Sequence, residues 1–191
     1  MSRPNHPRIV LIGGGARSGK SNFALAHARR LRDERIFIAT AQAFDAEMKT
    51  RIDRHQSERG SDFVTVEEPL ALARAVANAS STAVVLVDCL TLWLSNLLCT
   101  DVPEAEIQRR MDELVEVAAA RRAPTLLVSN EVGMALVPET PLGRAFRDLT
   151  GTLHQRIAAR ADEIYAAVMG VVLRLSPGPV EVVAPVAARK E

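Results

Sequence analysis

Hydrophobic and polar positions change rhythm along the chain. Arg8-Ile9-Val10-Leu11-Ile12 is a short apolar run that ends in Gly13-Gly14-Gly15, as a buried strand does before a tight turn. From Lys20 to Arg32 the period becomes helical, with Phe23, Leu25, Ala26 and Leu31. Residues 35–39 read as a second strand, and residues 45–59 as a helix in which Met48 and Ile52 stand four apart. A weak strand over 63–66 and an alanine-rich helix over 70–79 follow. Residues 82–87 form the strongest strand pattern. A long helix is expected after Asp101, which is placed to cap it, with Pro103 in the first turn. Ile107, Met111, Leu114, Val115 and Ala118 fall on one side of that helix. Residues 125–128 are another buried strand, 141–160 a helix, and 163–169 a strand that Gly170 turns into a last one over 171–175. Three prolines after Ser176 predict a frayed tail.

Strands that are continuously apolar, alternating with helices, imply a mostly parallel sheet covered on both faces. The last two strands are joined too tightly for a crossover and predict an antiparallel edge hairpin. The expected class is α/β, one domain over residues 1–191 with an ordered core at about 8–175.

Composition narrows the function classes. A formal net charge of +1 gives no bulk field for nucleic acid or an anionic membrane. Asp88, Thr91, Ser95 and Asn96 interrupt the most apolar stretch, residues 83–99, so it does not read as a membrane span. No leader pattern precedes the glycines, and a cytoplasmic location is expected. Cys89 and Cys99 show no metal-ligand spacing and read as reduced, buried thiols.

Gly14-Gly15-Ala16-Arg17-Ser18-Gly19-Lys20-Ser21 fits G-x-x-x-x-G-K-[ST], between a buried strand and a helix start. Such a loop turns successive N–H groups inward and makes an anion nest at a positive helix terminus. Lys20 is placed to reach the β- and γ-phosphates of a nucleotide and Ser21 to coordinate Mg²⁺. Asp88, closing a hydrophobic strand, is the candidate second Mg²⁺ ligand, with a helix N-cap as the competing role. Arg51, His55 and Arg59 stand at i, i+4 and i+8, one cationic helix face. Glu47 and Glu58 offset those charges if the face is simply solvated. His6 reads as a tail residue, and His27 and His154 as helix-surface residues.

Several further blocks occur in a fixed order: Ile38-Ala39-Thr40-Ala41-Gln42, Glu47-Met48, Arg51-Ile52 with His55, Thr65-Val66-Glu67-Glu68-Pro69, Asn130-Glu131-Val132-Gly133-Met134, Val137-Pro138, and Leu142-Gly143-Arg144 with Phe146-Arg147-Asp148. Together with the phosphate loop they resemble the bifunctional adenosylcobinamide kinase / adenosylcobinamide-phosphate guanylyltransferases of cobalamin biosynthesis, over roughly residues 8–175. The resemblance implies a RecA-like P-loop fold, a homotrimer, and two reactions. The aminopropanol hydroxyl of adenosylcobinamide is phosphorylated from ATP or GTP; GMP from GTP then passes through a histidine to give adenosylcobinamide-GDP. It implies His55 as the guanylylated histidine, and nucleotide contacts at residues 14–21, Ala39, Thr40, Ala41, Gln56, Ser57, Glu58, Arg59, Glu67 and Asp88. Gln56, Gly60 and His154 depart from the family's usual residues. Two rival readings are a small-molecule kinase without guanylyl transfer, and a GTP-dependent switch. The second lacks its usual Asn-Lys-x-Asp motif, since Ser129-Asn130-Glu131-Val132-Gly133 stands in that place.

Overall fold

The computed structural model describes residues 8–42 and 60–185. Its strands are β1 (Ile9–Gly14), β2 (Arg35–Ala39), β3 (Val64–Glu67), β4 (Val84–Asp88), β5 (Thr125–Asn130), β6 (Glu163–Val168), β7 (Val171–Ser176) and β8 (Glu181–Pro185). The described helices are α1 (Lys20–Leu31), α2 (Leu72–Asn78), α3 (Leu90–Leu98), α4 (Glu104–Ala120) and α5 (Pro141–Ala158). The helix expected over residues 45–59 lies outside the described residues.

One eight-stranded sheet runs in the order β3-β2-β4-β5-β1-β6-β7-β8. The first six strands in that order are mutually parallel, and β7 and β8 are antiparallel additions. The strand that opens into the phosphate loop, β1, is separated from β4 by the inserted β5. That interleaving, with the loop between β1 and α1, is the RecA-like P-loop arrangement that was expected.

The continuous apolar strands have a simple cause. Successive side chains point to opposite faces, and both faces are buried. Ile9, Leu11, Val85, Val87 and Leu127 join one core with α2, α3, α4 and α5. Their neighbours Val10, Ile12, Val84, Leu86, Leu126 and Val128 join a second core with Ala24, Leu25 and Ala28 of α1. The five apolar positions expected on one side of the long helix are its buried residues.

Three expectations are corrected. Asp101 does not cap α4: Pro103 holds the N-cap position without a side-chain cap, and Glu104 and Glu106 supply the negative charge that the first turn favours. Through Pro185 the prolines after Ser176 do not fray the chain. Pro177 and Pro179 occupy the connection and Pro185 the end of an edge strand, where a missing N–H costs nothing. Arg174 of β7 then pairs with Glu181 of β8 at 2.6 Å. Cys89 is buried as expected, but Cys99 is exposed just past the end of α3.

Arg121 shows how one charged residue is folded inward. Its side chain is 7% exposed, and its guanidinium donates to the carbonyls of Val76, Ala79, Ser80 and Ala83 at 2.7–3.0 Å. It closes the C-terminal end of α2 and ties that helix to the start of β4. Arg121→Ala orphans these acceptors and is expected to cost on the order of 3 kcal/mol. For a domain of this size that lowers Tm by roughly 6–12 °C; thermal unfolding of the variant checks it.

Candidate active site

Parallel strands deliver their carboxyl ends to one edge, and the candidate residues that close β1, β2, β3 and β4 lie there. Across that edge Glu67 pairs in register with Ala39, and Ala39 with Asp88. Gly14 pairs in register with both Asn130 and Ala167.

The phosphate loop takes its shape from a few backbone positions. Gly14 has φ +156°, and a Cβ there would stand 2.6 Å from the Ala167 carbonyl oxygen and 2.7 Å from Ser18 Oγ. Only glycine fits that approach. Gly19, at φ +85°, is the N-cap residue of α1, and Arg17 adopts φ +56° at the exposed tip. Gly15 and Ala16 are exposed beside it. Ser18 N–H donates to Gly15 O at 3.3 Å, and Glu131 N–H donates to Gly14 O at 3.0 Å, fixing the loop to the end of β5. The Ser18 hydroxyl is buried with no hydrogen-bond partner among the described residues. An orphaned donor inside a nest of backbone N–H groups suits an anionic ligand.

Lys20 opens α1, is 7% exposed, and bends back so that Nζ donates to Gly15 O at 3.1 Å. Its ammonium therefore crosses the loop. Ser21 is half-buried in the first turn of α1. Asp88 ends β4, half-buried, and the helix after it is N-capped by Cys89, so the cap role for Asp88 falls away. Burial pushes the Cys89 thiol up, the Asp88 carboxylate pushes it further, and Lys20 opposes both. One thiol thus feels both the lysine of the loop and the acid of β4.

Ala39 and Ala41 are half-buried beside β4, and Glu67 is exposed at the end of β3. Thr40 is fully buried and committed to the backbone. Its hydroxyl donates to Cys89 O at 2.8 Å and accepts from Cys89 N–H at 2.9 Å, and its N–H donates to Asp88 O at 3.3 Å. Asn96 Nδ2 donates to Thr40 O at 2.8 Å and to Pro69 O at 3.1 Å. Thr40 clips the end of β2 to the β4–α3 corner and so helps to position Asp88. His55, Gln56, Ser57, Glu58 and Arg59, with Arg51, lie outside the described residues.

Two histidines read as surface residues are not. His27 stacks on Phe23 at 5.6 Å, meets Tyr165 edge-on at 5.4 Å, and sits 3.3 Å from Glu163. His154 Nε2 lies 2.6 Å from the buried Ser129 Oγ, and its Nδ1 lies 3.7 Å from Glu131 Oε2. Asn130, one residue of a sequence motif, closes β5, and its Nδ2 donates to Thr91 Oγ1 of α3 at 2.8 Å. Apart from Phe23, one helical turn before His27, these partners are distant in sequence, which hides them from any local pattern.

Mg²⁺ suits the donor set. Ser21 and Asp88 offer hard oxygen, and the described residues hold no cluster of three His, Cys, Asp or Glu that could form an all-protein cage. An ion that keeps water and shares phosphate oxygens asks for that sparse provision.

The family model for cobinamide kinase / cobinamide phosphate guanyltransferase matches residues 10–175. The bifunctional adenosylcobalamin biosynthesis protein CobP of Pseudomonas aeruginosa is 42% identical over 170 residues, covering 88% of this chain and 98% of its own. The bifunctional adenosylcobalamin biosynthesis protein CobU of Salmonella typhimurium is 37% identical over 183 residues, covering 87% of this chain and 99% of its own. Among solved structures, a KaiC-like protein of Pyrococcus horikoshii OT3 aligns at a TM-score of 0.45 with 12% identity, over 93% of this chain and 78% of that one. On the family match and these relatives, the chain belongs to the cobinamide kinase / cobinamide phosphate guanyltransferase family.

Proposed function

We propose that this protein phosphorylates the aminopropanol hydroxyl of adenosylcobinamide from ATP or GTP and then transfers GMP from GTP, through His55, to give adenosylcobinamide-GDP. The observation that carries the reading is the phosphate loop of residues 14–21, with Lys20 and Asp88 at one sheet edge, in a chain of this family.

In the kinase step the loop N–H groups and Ser18 Oγ bind phosphate oxygens. Lys20 Nζ exchanges Gly15 O for the β- and γ-phosphates. The substrate hydroxyl oxygen bonds to the γ-phosphorus, the bond to the β–γ bridging oxygen breaks to release the nucleoside diphosphate, and the hydroxyl proton passes to solvent. Ser21 and Asp88 would hold Mg²⁺, which when bound neutralises charge on the phosphate oxygens. In the transfer step a neutral imidazole nitrogen of His55 bonds to the α-phosphorus of GTP and pyrophosphate leaves. A phosphate oxygen of cobinamide phosphate then takes the GMP, and the ring is released unchanged. A covalent carrier divides one hard displacement into two. Arg51 and Arg59, at one helical spacing on either side, would stabilise developing charge and favour the neutral ring. Ala39, Ala41, Gln56, Ser57, Glu58 and Glu67 complete the proposed nucleotide contacts, Thr40 supports them from behind, and a homotrimer in the cytoplasm is the proposed setting. Among the described residues no helix is long and apolar enough to cross a membrane.

Purified protein given ATP and adenosylcobinamide should form the phosphate ester; added GTP should convert it to adenosylcobinamide-GDP. Failure to phosphorylate with either nucleotide contradicts the reading. Asp88→Asn separates metal holding from architecture. An amide is a poor Mg²⁺ ligand, and several kcal/mol of charge stabilisation are at stake, so kinase activity should fall by at least about tenfold. Since Cys89 is the cap, Tm without nucleotide should stay within about 2 °C. A folded, fully active Asp88→Asn would remove Asp88 from the site.

A further inference from the structure

Glu131 is a junction. Its N–H holds Gly14 O at 3.0 Å, where the phosphate loop leaves β1. One carboxylate oxygen accepts from Gly133 N–H at 2.6 Å, fixing the first turn of the 131–140 segment. The other oxygen is 3.7 Å from His154 Nδ1. The segment that Glu131 begins carries Met134, Leu136 and Val137 exposed, and closes on α5 through Thr140, whose hydroxyl accepts from Gly143 N–H at 3.1 Å. The ring's other nitrogen is anchored on Ser129, a fully buried residue of β5, so His154 cannot swing away from the junction.

We infer that His154 is a positioning residue for the kinase site, whose protonation draws the Glu131 carboxylate off Gly133 and loosens both the 131–140 segment and the seat of Gly14. The kinase reading enters only through the consequence for catalysis; the contacts stand without it. Neutral imidazole leaves Glu131 on Gly133. A protonated ring offers a donor at each nitrogen. One stays on Ser129 Oγ, and the other competes for the carboxylate with a charge-assisted hydrogen bond, roughly twice as strong as one to a neutral amide. Closing from 3.7 Å to an ordinary charged bond moves the carboxylate by roughly 1 Å, which a 2.6 Å bond to Gly133 does not survive.

The groups facing the ring leave Glu131 in charge. Helix α3 and strand β1 carry no charged residue against α5. Asp112 and Glu116 of α4 are paired with Arg156, two residues after His154, and with Arg160, just past the end of α5. Burial holds the His154 pKa below the usual histidine value, with Glu131 opposing. The ring is therefore neutral at pH 7.5, and the change appears on the acid side of about pH 6.5.

The test compares wild type, His154→Gln and Glu131→Gln without nucleotide, from pH 7.5 to pH 5. Gly133 amide exchange is followed by NMR and corrected for intrinsic chemistry. In the wild type, protection should fall by about fivefold, the loss of one hydrogen bond, with a midpoint matching the titration of the His154 ring. Both variants should give flat profiles. Glu131→Gln keeps an acceptor for Gly133 without the charge, and it serves alone if His154→Gln fails to fold. ADP affinity of the wild type should weaken over the same pH range more than that of either variant. Equal pH dependence in all three proteins, or a ring that titrates with no change at Gly133, overturns the inference. Neither result bears on whether the protein phosphorylates adenosylcobinamide.

Discussion

Replacing Lys20 by alanine should reduce phosphorylation of adenosylcobinamide by at least about a hundredfold, the cost of one preorganised electrostatic donor. The ammonium already lies over the loop, hydrogen-bonded to Gly15 O, and is screened from water at 7% exposure. A charge held in that position needs little reorganisation to meet the phosphates, so its loss falls on the transition state. Gly14 and Gly19 set the loop backbone independently of Lys20, so the variant should fold. The measurement is the initial rate of phosphate ester formation at saturating nucleotide, with circular dichroism to confirm the fold. A folded variant with near-normal rates would sink the assignment of this loop.

His55→Asn should split the two activities. Asparagine keeps a polar side chain of similar length but offers no nucleophilic ring nitrogen. Protein-bound GMP and adenosylcobinamide-GDP should both vanish. Phosphorylation should persist, because that displacement needs the phosphate loop and direct attack by a hydroxyl. In the wild type, adduct formation should weaken as pH falls below about 6.5, the unshifted histidine value, because a protonated ring has no lone pair to offer. Undiminished GMP transfer by His55→Asn would leave a plain small-molecule kinase as the better account.

What the sequence could reveal follows from where each feature's partners lie. The phosphate loop needs contiguous residues, so its chemistry is legible in one short run. Two-sided burial makes β1, β4 and β5 continuously apolar, and the edge hairpin betrays itself by the single turn at Gly170. Asp88 stood out as a lone acid closing a hydrophobic strand. Its competing reading as a cap could be discarded only when α3 proved to start one residue later, behind Cys89. The resemblance names Thr40 as a nucleotide contact, but nothing local announces that its hydroxyl also binds Cys89, 49 positions away. His154 looked solvated because nothing local announces that Ser129, 25 positions back, lies under the ring. Arg121 is a similar case, since an arginine after a helix ordinarily reads as exposed; its four carbonyl partners come from α2 and the connection to β4. Order through Pro185 is hidden for another reason: prolines argue locally against regular structure, while their spacing here marks a turn and an edge.

The most direct test of the central claim is mass spectrometry of the wild-type protein after incubation with GTP and Mg²⁺ alone. One GMP should be added per active site, on the peptide that contains His55. The bond should survive alkali and break in acid, since protonating a phosphoramidate nitrogen creates a good leaving group. Absence of any adduct, or an adduct on a different residue, would contradict the account.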